Sequence, residues 1–459
     1  MRIVLLSGGS GKRLWPLSNE IRSKIFLKLL PSEVGGMESM IQRVCRQLDE
    51  AGLLPCTSIV AHKSQAEIVR NHVGDKIPFI AEPHRRGTYT AVAIASSYLH
   101  TKLLAAPDET VCVIPADLFV EPEFFNLLRK FPDVLAQSGS ELALLGTTPK
   151  HASSQFGYIV PQHSSDNLSK DYFSVTQFVE KPDVEKALLL MGNNALWNCG
   201  VFAFPLSFML SSLKSKGLPS AYDDLIDCYE HLPDASFDVE VVEKTRPSVV
   251  IPYDNAWKDL GDWSVLPDFF ENSVIGLGEI SSDSIHTHLV NELVCPIHVI
   301  GVSNLIVAAS ADGILVANKD KSNQIKSIRN SRQEPMQGEK RWGTYRIFDY
   351  SKAEIQPETL TKKVELIPGK NTSYHFHQKR KEIWIIISGT GEFIMEAVNV
   401  QIQTGDVLQI PAGARHAIKA ITPIEYIEVQ IGTDLLEEDI VRIAITWEEI
   451  SKLCKGDQS

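Results

Sequence analysis

A glycine loop near the start of the chain has the composition of a phosphate-binding site. It follows a short apolar run at residues 3–6 and consists of Ser7, Gly8, Gly9, Ser10, Gly11, Lys12 and Arg13. Glycines directly after a strand let backbone N–H groups approach a phosphate chain closely, and the basic side chains add positive charge. The Walker loop and the dinucleotide fingerprint would need a glycine at position 6 or 14, where leucine stands. Taken alone, the loop is either a phosphate site or a plain strand-to-helix turn.

Two aspartates stand where a divalent cation could meet a substrate phosphate. Asp117 follows the apolar strand pattern at residues 111–114, and Asp259 stands in a Trp-Lys-Asp-Leu-Gly stretch. The carboxyl ends of strands carry the ligand site in parallel α/β sheets, and Mg²⁺ prefers carboxylate and phosphate oxygens. The alternatives are a helix N-cap for Asp117 and a turn residue for Asp259.

A second group of chemically capable residues lies near the carboxyl terminus. His375 and His377 are two residues apart, so a strand would present both imidazoles on one face. Glu382 would open the neighbouring strand after a turn, and His416 follows a Pro-Ala-Gly segment. Imidazoles with one carboxylate suit Zn²⁺, Mn²⁺, Fe²⁺ or Ni²⁺, and the sequence does not choose among them. A bare His-x-His pair can also be an exposed strand pair.

The elements that must position these residues fall into three regions. Strand and helix patterns alternate over residues 1–265, which predicts an α/β domain with a mostly parallel sheet. Residues 266–335 carry short β-branched runs and then a polar linker, which predicts a short β connector, a β-solenoid being one candidate. Residues 336–459 carry short strands broken by turn signals, typical of a small antiparallel barrel.

Composition excludes several classes of function. The chain has 459 residues and a formal net charge of −12, which disfavours general binding to nucleic acid. No apolar run approaches the ~18 residues of a membrane span. The first residues turn to Ser-Gly-Gly too early for a secretory segment. The cysteines are scattered, odd in number and without a CxxC pair, which favours a reducing cytoplasm.

The motifs of the first region resemble those of a known family. The residues from Gly8 to Ser18 resemble the signature of the sugar-1-phosphate nucleotidyltransferases, specifically the mannose-1-phosphate guanylyltransferases. Further matching motifs follow in order: Glu82-Pro83, Pro115-Ala116-Asp117, Phe156-Gly157-Tyr158-Ile159, Phe178-Val179-Glu180-Lys181-Pro182, Trp197-Asn198-Cys199-Gly200-Val201-Phe202 and Asp259-Leu260-Gly261. The resemblance implies a Rossmann-like nucleotidyltransferase domain.

The resemblance also implies a role for each group of residues. The proposed catalytic residues are Arg13, Lys24, Asp117 and Asp259, of which the two aspartates would hold Mg²⁺. The implied nucleotide-binding residues are Ser7, Gly8, Gly9, Gly11, Lys12, Arg13, Glu82, Arg86 and Thr88, and the segment 82–88 would lie near the guanine. The implied sugar-phosphate residues are Gly157, Glu180, Lys181 and Asn198. The family's Pro-Lys-Gln, Arg-Asn-Thr and Asn-Ser-Gly motifs are each altered here at one or two positions.

The carboxyl-terminal region resembles the cupins, because its glycines, histidines and glutamate follow both cupin motifs. The fusion of the two regions resembles enzymes that pair the guanylyltransferase with a type II mannose-6-phosphate isomerase. His375 stands where that family has glutamine and Ile383 where it has histidine. Because the cupin motifs are present, metal binding at His375, His377, Glu382 and His416 is expected. Because of the two departures, the domain is either an isomerase or a module for assembly or regulation.

Taken together, the sequence predicts a guanylyltransferase that makes GDP-mannose from GTP and mannose 1-phosphate, with Mg²⁺ as cofactor and a homodimer as the expected assembly. One alternative is transfer to another hexose 1-phosphate or from another nucleotide. The other is a catalytically silent protein that binds sugar nucleotides or serves assembly. Retention of the four charged residues Arg13, Lys24, Asp117 and Asp259 argues against a silent protein.

Overall fold

The computed structural model describes the chain except residues 9–11, 34, 163–170, 256, 329–334, 353–356, 434, 436–438 and 457–459. Residues 12, 259, 326, 328, 455 and 456 are described by their backbone alone. The chain divides into two compact units. Unit 1 comprises Met1–Ser10 and Ser23–Glu271, and unit 2 comprises Gly11–Arg22 and Asn272–Ser459. The segment that follows the first glycines therefore belongs to the same unit as the carboxyl-terminal regions.

Unit 1 has alternating strands and helices, as its sequence predicts. The strands are β1 (Arg2–Leu6), β2 (Lys28–Pro31), β3 (Met37–Ser39), β4 (Thr57–His62), β5 (Phe79–Glu82), β6 (Thr110–Pro115), β7 (Leu118–Val120), β8 (Leu142–Thr147), β9 (Tyr158–Pro161), β10 (Phe173–Val179), β11 (Leu196–Pro205), β12 (Ser248–Pro252) and β13 (Trp257–Asp259). The helices are α1 (Met40–Glu50), α2 (Ala66–Val73), α3 (Gly87–Thr101), α4 (Glu123–Leu128), α5 (Phe131–Ser138), α6 (Val184–Gly192), α7 (Leu206–Ser215) and α8 (Tyr222–Asp227), and a π-helix spans Asp238–Val242.

Among the described residues, nine strands of unit 1 form one mixed sheet in the order β5-β4-β1-β6-β11-β8-β12-β10-β9. The strands β5, β4, β1 and β6 are parallel, and so are β8 and β12. The strands β11 and β10 run antiparallel to their neighbours, so the mostly parallel character is confined to part of the sheet. The alternation of strands and helices along the sequence predicts a sheet covered by helices. Whether a later strand joins that sheet parallel or antiparallel is decided by tertiary packing.

Local sequence explains why these elements form. The strands β1 and β6 are continuous apolar runs, as expected for central strands covered on both faces. The helix α1 begins with a capping box, in which Ser39 and Gln42 each satisfy the other's backbone N–H. The helix α3 is apolar on most sides and packs into the core of the unit, where Tyr89, Val92 and Ile94 are fully buried.

Unit 2 opens with a connector of short strands. They are β14 (Val274–Gly276), β15 (Gly278–Ile280), β16 (His288–Asn291), β17 (Ile297–Val299), β18 (Leu305–Ser310) and β19 (Gly313–Asn318). The strands β14, β16 and β18 stack in parallel, and so do β15 and β17, which is the arrangement of a short β-solenoid. The polar end of the predicted connector contains a 3₁₀ helix (Lys319–Gln324) and α9 (Ile325–Ile328), and β20 (Gln337–Lys340) follows it.

The rest of unit 2 is an antiparallel two-sheet barrel closed by a helix. Its remaining elements are β21 (Gly343–Ser351), β22 (Glu358–Leu366), β23 (Tyr374–His377), β24 (Arg380–Ser388), β25 (Thr390–Met395), β26 (Val398–Gln403), β27 (Val407–Ile410), β28 (His416–Ala420), β29 (Ile424–Gly432), β30 (Ile440–Ala444) and α10 (Trp447–Gly456). The sheets run β20-β21-β22-β29-β24-β27 and β26-β25-β28-β23-β30. Trp384, Phe393 and Tyr426 are buried in the barrel core.

All seven cysteines are free thiols. Among the described residues, every helix is too short or too polar to serve as a membrane span.

Candidate functional site

The glycine loop begins where the central strand β1 ends. Gly9 and Gly11 lie outside the described residues, and Lys12 is described by its backbone in the short helix Lys12–Leu14, where Arg13 is half-buried. The Ser7 backbone N–H donates to the Val60 carbonyl at 2.9 Å. The Ser7 side-chain Oγ is buried and has no hydrogen-bond partner among the described residues. A buried hydroxyl without a partner costs about 1–3 kcal/mol, so a bound polar group at this position would relieve a penalty.

The structure pairs Lys24 with Asp117 next to the same strand ends. The Lys24 Nζ contacts the Asp117 carboxylate, and the two side chains are 13% and 25% exposed. The Asp259 backbone stands opposite Leu118, the neighbour of Asp117, in the antiparallel pair of β13 and β7. The Lys24 side chain therefore meets the Asp117 carboxylate, and the backbone of Asp259 lies on the strand paired with the one that follows Asp117. The carboxylate oxygens of aspartate are ligands that Mg²⁺ prefers.

Glu82 lies at the end of β5, beside the start of the glycine loop. Its Oε1 accepts a hydrogen bond from the Tyr229 hydroxyl at 3.0 Å. A Cβ on Gly8 would lie 3.3 Å from the other carboxylate oxygen, Oε2. Burial raises the pKa of Glu82 to about 7, although the Tyr229 hydrogen bond and the Arg85 charge oppose the shift. The carboxyl group is therefore close to half-ionised at neutral pH.

Arg86 and Thr88, which were also predicted near the guanine base, form hydrogen bonds with the backbone of residues 232 and 237. The Arg86 guanidinium donates to the Leu232 carbonyl at 2.9 Å. The Thr88 hydroxyl accepts from the Phe237 backbone N–H at 2.8 Å. Gly87 has φ +77°, and a Cβ there would lie 2.3 Å from the Ala235 carbonyl oxygen, so only glycine fits. These contacts show a structural role for Arg86 and Thr88.

The four residues predicted for the sugar phosphate lie in one cluster. The Asn198 backbone N–H donates to the Gly157 carbonyl at 2.8 Å. The Lys181 Nζ contacts the Glu180 carboxylate, and Lys181 adopts the left-handed backbone conformation with φ 44°. Non-glycine residues adopt this conformation rarely, which is a feature often found at functional sites.

Asp238 joins this cluster although no sequence motif pointed to it. The Asn198 Nδ2 donates to the Asp238 Oδ1 at 2.8 Å, and the Gly200 backbone N–H donates to the Asn198 Oδ1 at 3.0 Å. Burial and then the nearby Glu180 charge raise the pKa of Asp238 to about 6. Asp238 opens the π-helix, an element that is rare and frequent at functional sites.

Cys199, the residue that replaces a serine of the family motif, is a packing residue. Its side chain is buried, and burial raises the pKa of the Cys199 thiol above its ordinary value. A thiol that stays protonated at neutral pH is a poor nucleophile. A cysteine near a binding motif could act as a nucleophile, but the buried Cys199 thiol does not support that role.

Replacing Gly157 with alanine is expected to raise the KM for the sugar phosphate by about tenfold, because a small displacement in a binding site is costly. The new Cβ would lie 2.6 Å from the Glu180 Oε2 and 2.9 Å from the Phe178 ring. Steady-state kinetics with each substrate varied in turn would measure the effect, and the KM for the nucleotide should change little. Gly192→Ala is the control, since no atom lies within 4 Å of a Cβ there. Equal effects on both KM values would contradict the assignment.

The carboxyl-terminal barrel brings its three predicted histidines together. The ligand atoms of His375, His377 and His416 all lie within 4.8 Å of one another, and β23 pairs His375 directly with His416. The Glu382 carboxylate on β24 faces two of these histidines. Its Oε1 lies 3.1 Å from the His377 Nε2, and its Oε2 lies 3.5 Å from the His416 Nε2. The Nε2 of His416 is buried and has no hydrogen-bond partner among the described residues. This donor set fits a divalent transition metal.

Two residues that no sequence motif indicated, Arg380 and Trp384, hold Glu382 in place. The Arg380 Nε donates to the Glu382 Oε1 at 3.1 Å, and the Arg380 Nη2 lies 3.2 Å from the His377 Nε2. The Trp384 Nε1 donates to the Glu382 Oε2 at 3.1 Å. Arg380, Glu382 and Trp384 alternate along one strand, and this period of two was the available signal.

The electrostatics of the barrel interior suit metal ligation. Burial, followed by the neighbouring His416 and His377, lowers the pKa of His375 well below its ordinary value, so this imidazole is neutral at pH 7. Burial opposes ionisation of Glu382, but the nearby His377 and His416 hold the pKa of Glu382 well below its ordinary value. A neutral imidazole, as at His375, and an ionised carboxylate, as at Glu382, are the forms that bind metals.

Two family models match the chain, one over each region. The model described as nucleotidyl transferase matches residues 2–273, and the model described as mannose-6-phosphate isomerase C-terminal matches residues 328–444. The mannose-1-phosphate guanylyltransferase RfbM of Salmonella typhimurium is 30% identical over 477 residues, which cover 96% of each chain. The alginate biosynthesis protein AlgA of Pseudomonas aeruginosa is 30% identical over 482 residues, which cover 96% of this chain and 95% of that protein.

A solved structure from Thermus thermophilus, named a mannose-1-phosphate geranyltransferase, aligns with a TM-score of 0.56 and 27% sequence identity. The alignment covers 71% of this chain and 97% of that one. These matches agree with the motifs of both regions. The chain therefore belongs to the mannose-1-phosphate guanylyltransferase family of nucleotidyl transferases, and it carries a mannose-6-phosphate isomerase C-terminal domain.

Proposed function

We propose that the chain transfers a guanylyl group from GTP to mannose 1-phosphate, giving GDP-mannose and pyrophosphate. The observation that carries this proposal is the contact between Lys24 and Asp117 at the strand ends, with Asp259 on the adjacent strand, in a chain similar over 96% of its length to guanylyltransferases. A purely structural protein has no need of a paired lysine and two aspartates at this edge of the sheet.

The residue types fit a direct displacement. An oxygen of the sugar phosphate attacks the α-phosphorus of GTP, the bond to the bridging oxygen breaks, and pyrophosphate leaves. The protein supplies no nucleophile, because its part is to bring two anions together and neutralise the developing charge. In this proposal Gly8, Gly9, Gly11 and Lys12 bind the triphosphate with Arg13 and Lys24. Mg²⁺, when bound at Asp117 and Asp259, would neutralise phosphate charge.

The sugar phosphate would bind at the cluster of Gly157, Glu180, Lys181 and Asn198. In this proposal Lys181 faces the phosphate and Glu180 accepts hydrogen bonds from sugar hydroxyls. Asp238 would hold the Asn198 amide in one orientation through the hydrogen bond at 2.8 Å. The reducing compartment implied by seven free thiols is, in our proposal, the cytoplasm.

Release of pyrophosphate with Mg²⁺, measured for each nucleoside triphosphate against a panel of hexose 1-phosphates, tests the proposed function. Turnover is expected with GTP and mannose 1-phosphate above all other pairs. Equal rates with ATP, UTP and GTP would overturn the guanine specificity, and no turnover with any pair would overturn the transferase.

We also propose that the Glu82 carboxylate accepts hydrogen bonds from the guanine base, and this proposal predicts a pH effect. With a pKa of about 7, the group is about nine-tenths ionised at pH 8 and about one-tenth ionised at pH 6. Because only the ionised form is a pure acceptor, the KM for GTP should rise roughly tenfold as the pH falls from 8 to 6.

Glu82→Gln tests this pH effect, because glutamine keeps the shape and an acceptor for Tyr229 but cannot ionise. The KM of the variant should be high at both pH values. Both enzymes experience the same ionisation of the triphosphate, so the ratio of their KM values isolates Glu82. A ratio that stays constant between pH 6 and pH 8 would contradict the role of Glu82.

The barrel supports a second candidate function, the interconversion of mannose 6-phosphate and fructose 6-phosphate. The specific observation is the convergence of His375, His377, His416 and Glu382 inside a domain that matches an isomerase model. A metal bound there would polarise the substrate carbonyl. A coupled assay on fructose 6-phosphate should detect activity that EDTA removes and added metal restores. A barrel that binds metal without turnover would instead indicate a role in assembly or regulation.

A further inference from the structure

The nucleotide signature is shared between the two compact units. Ser7 and Gly8 belong to unit 1, whereas Arg13 and the rest of the signature, as far as Arg22, belong to unit 2. Lys24, only two residues later, is again part of unit 1. The segment 13–22 is therefore grouped with unit 2, although the residues before and after it in the chain are grouped with unit 1.

The turn between β18 and β19 holds the middle of this segment. The Ser310 hydroxyl donates to the Pro16 carbonyl at 2.6 Å. Gly313 has φ +143°, and a Cβ there would lie 2.6 Å from the Trp15 ring, so the indole packs directly on the turn. A hydrogen bond and a close aromatic contact thus fix two successive residues of the segment.

A buried amide–carboxylate pair holds the end of the segment. The Asn19 Nδ2 donates to the Asp312 Oδ2 at 2.8 Å and to the Gln337 carbonyl at 3.1 Å. The Asn19 Oδ1 accepts from the backbone N–H groups of Ile21 and Arg22 at 3.0 and 2.8 Å. Asn19 and Asp312 are 1% and 2% exposed. Every polar atom of the Asn19 amide is therefore used to join the local turn to the connector.

An ion pair adds a further attachment two residues before Lys24. The Arg22 Nη1 donates to both oxygens of Glu292, at 2.9 and 3.0 Å. The Gln337 Nε2 also donates to Glu292, at 3.1 Å. The Met336 backbone N–H donates to the Asp312 Oδ1 at 2.6 Å, so the same two acidic residues organise the strand that leads into the barrel.

From these contacts we propose that the connector is a positioning element for nucleotidyl transfer, and that Asp312 is a positioning residue acting through Asn19 on the signature segment. The inference rests on the proposed function. Arg13 lies at the start of the anchored segment, so the position of its guanidinium depends on where the backbone that follows it is held. Misplacement of a catalytic group by about 1 Å costs on the order of 100-fold in rate, so a distant anchor can limit turnover.

An exchange of the two side chains tests the proposal. Asn19→Asp alone sets two carboxylates against each other, and Asp312→Asn alone sets two amides against each other. The double variant restores one donor facing one acceptor between positions 19 and 312, although the Gln337 carbonyl loses the donor that the Asn19 amide supplies. Each single variant should lower kcat/KM for GTP by about 10- to 100-fold, with a smaller change in the KM for mannose 1-phosphate. The double variant should recover part of the loss.

Asp320→Asn is the matched control, because Asp320 accepts a hydrogen bond from the Asn304 Nδ2 at 3.0 Å in the same connector. This variant makes the same change of residue type in an exposed asparagine–aspartate pair away from the signature, and it should leave both KM values unchanged. Hydrogen–deuterium exchange of the peptide spanning residues 12–24 provides a readout without turnover. Exchange should be faster in each single variant and slow again in the double variant.

The outcomes separate the two proposals. An inactive wild-type enzyme whose signature peptide nevertheless follows the expected exchange pattern would overturn the proposed function and leave the anchor supported. An active wild-type enzyme with both single variants within threefold of it would overturn the positioning role. Loss in the single variants without recovery in the double variant would also overturn it, because the loss would not depend on the pair.

Discussion

Replacing Asp117 with alanine is expected to lower kcat for pyrophosphate release by about 100- to 1,000-fold, the effect typical of removing one electrostatic group from a reacting centre. The carboxylate that contacts Lys24 would be lost, so the lysine would lose its partner and Mg²⁺ would lose one proposed ligand. Arg13→Ala should have an effect of the same size through the triphosphate. Initial rates of pyrophosphate release at saturating GTP and Mg²⁺ would measure both effects.

Asp133→Ala is the control for the Asp117 experiment. Asp133 is an exposed acidic residue in the first turn of α5, and its loss should change the rate little. Thermal unfolding of all variants would show whether the fold is retained. Activity of Asp117→Ala or Arg13→Ala within threefold of the wild type would contradict the proposed catalytic site.

Replacing His416 with alanine is expected to weaken metal binding in the barrel by more than about 100-fold, since even changes outside the ligand shell cost 10- to 100-fold. His416 is fully buried, with its Nε2 facing Glu382 and its ring 4.4 Å from that of His375. Removal would leave the site with two imidazoles and one carboxylate. Elemental analysis after dialysis against a weak chelator would measure the metal retained per chain.

His298→Ala is the control for the metal experiment, because His298 lies in the connector and its side chain is 56% exposed. This variant should retain metal at the wild-type level. Release of pyrophosphate should be unaffected in His416→Ala, since the proposed transferase residues lie elsewhere in the chain. Full metal retention by His416→Ala would contradict the proposed ligand set.

The barrel site shows which of its residues can be predicted from spacing along the sequence. A period of two along β23 places His375 and His377 on one face, and the turn after them brings Glu382 to the next strand, so spacing along the sequence indicated three of the four proposed ligands. The approach of His416 depends on the pairing of β23 with β28, which the cupin-like glycine spacing indicated indirectly. Arg380 was not predicted: a period of two places it on the same face of β24 as Glu382, but only the folded barrel brings the two buried side chains into an ion pair.

The transferase region shows which contacts cannot be predicted from local sequence patterns. The sequence by itself determined the glycine loop after β1, the alternation of strands and helices, and the residue types able to bind phosphate and Mg²⁺, because these depend on neighbours a few residues apart. Only the tertiary structure decided that Asp238 meets Asn198 and that Asn19 meets Asp312 across 293 positions. Such contacts depend on the order of strands in a sheet and on where the chain crosses between units, and no local pattern of side chains encodes either.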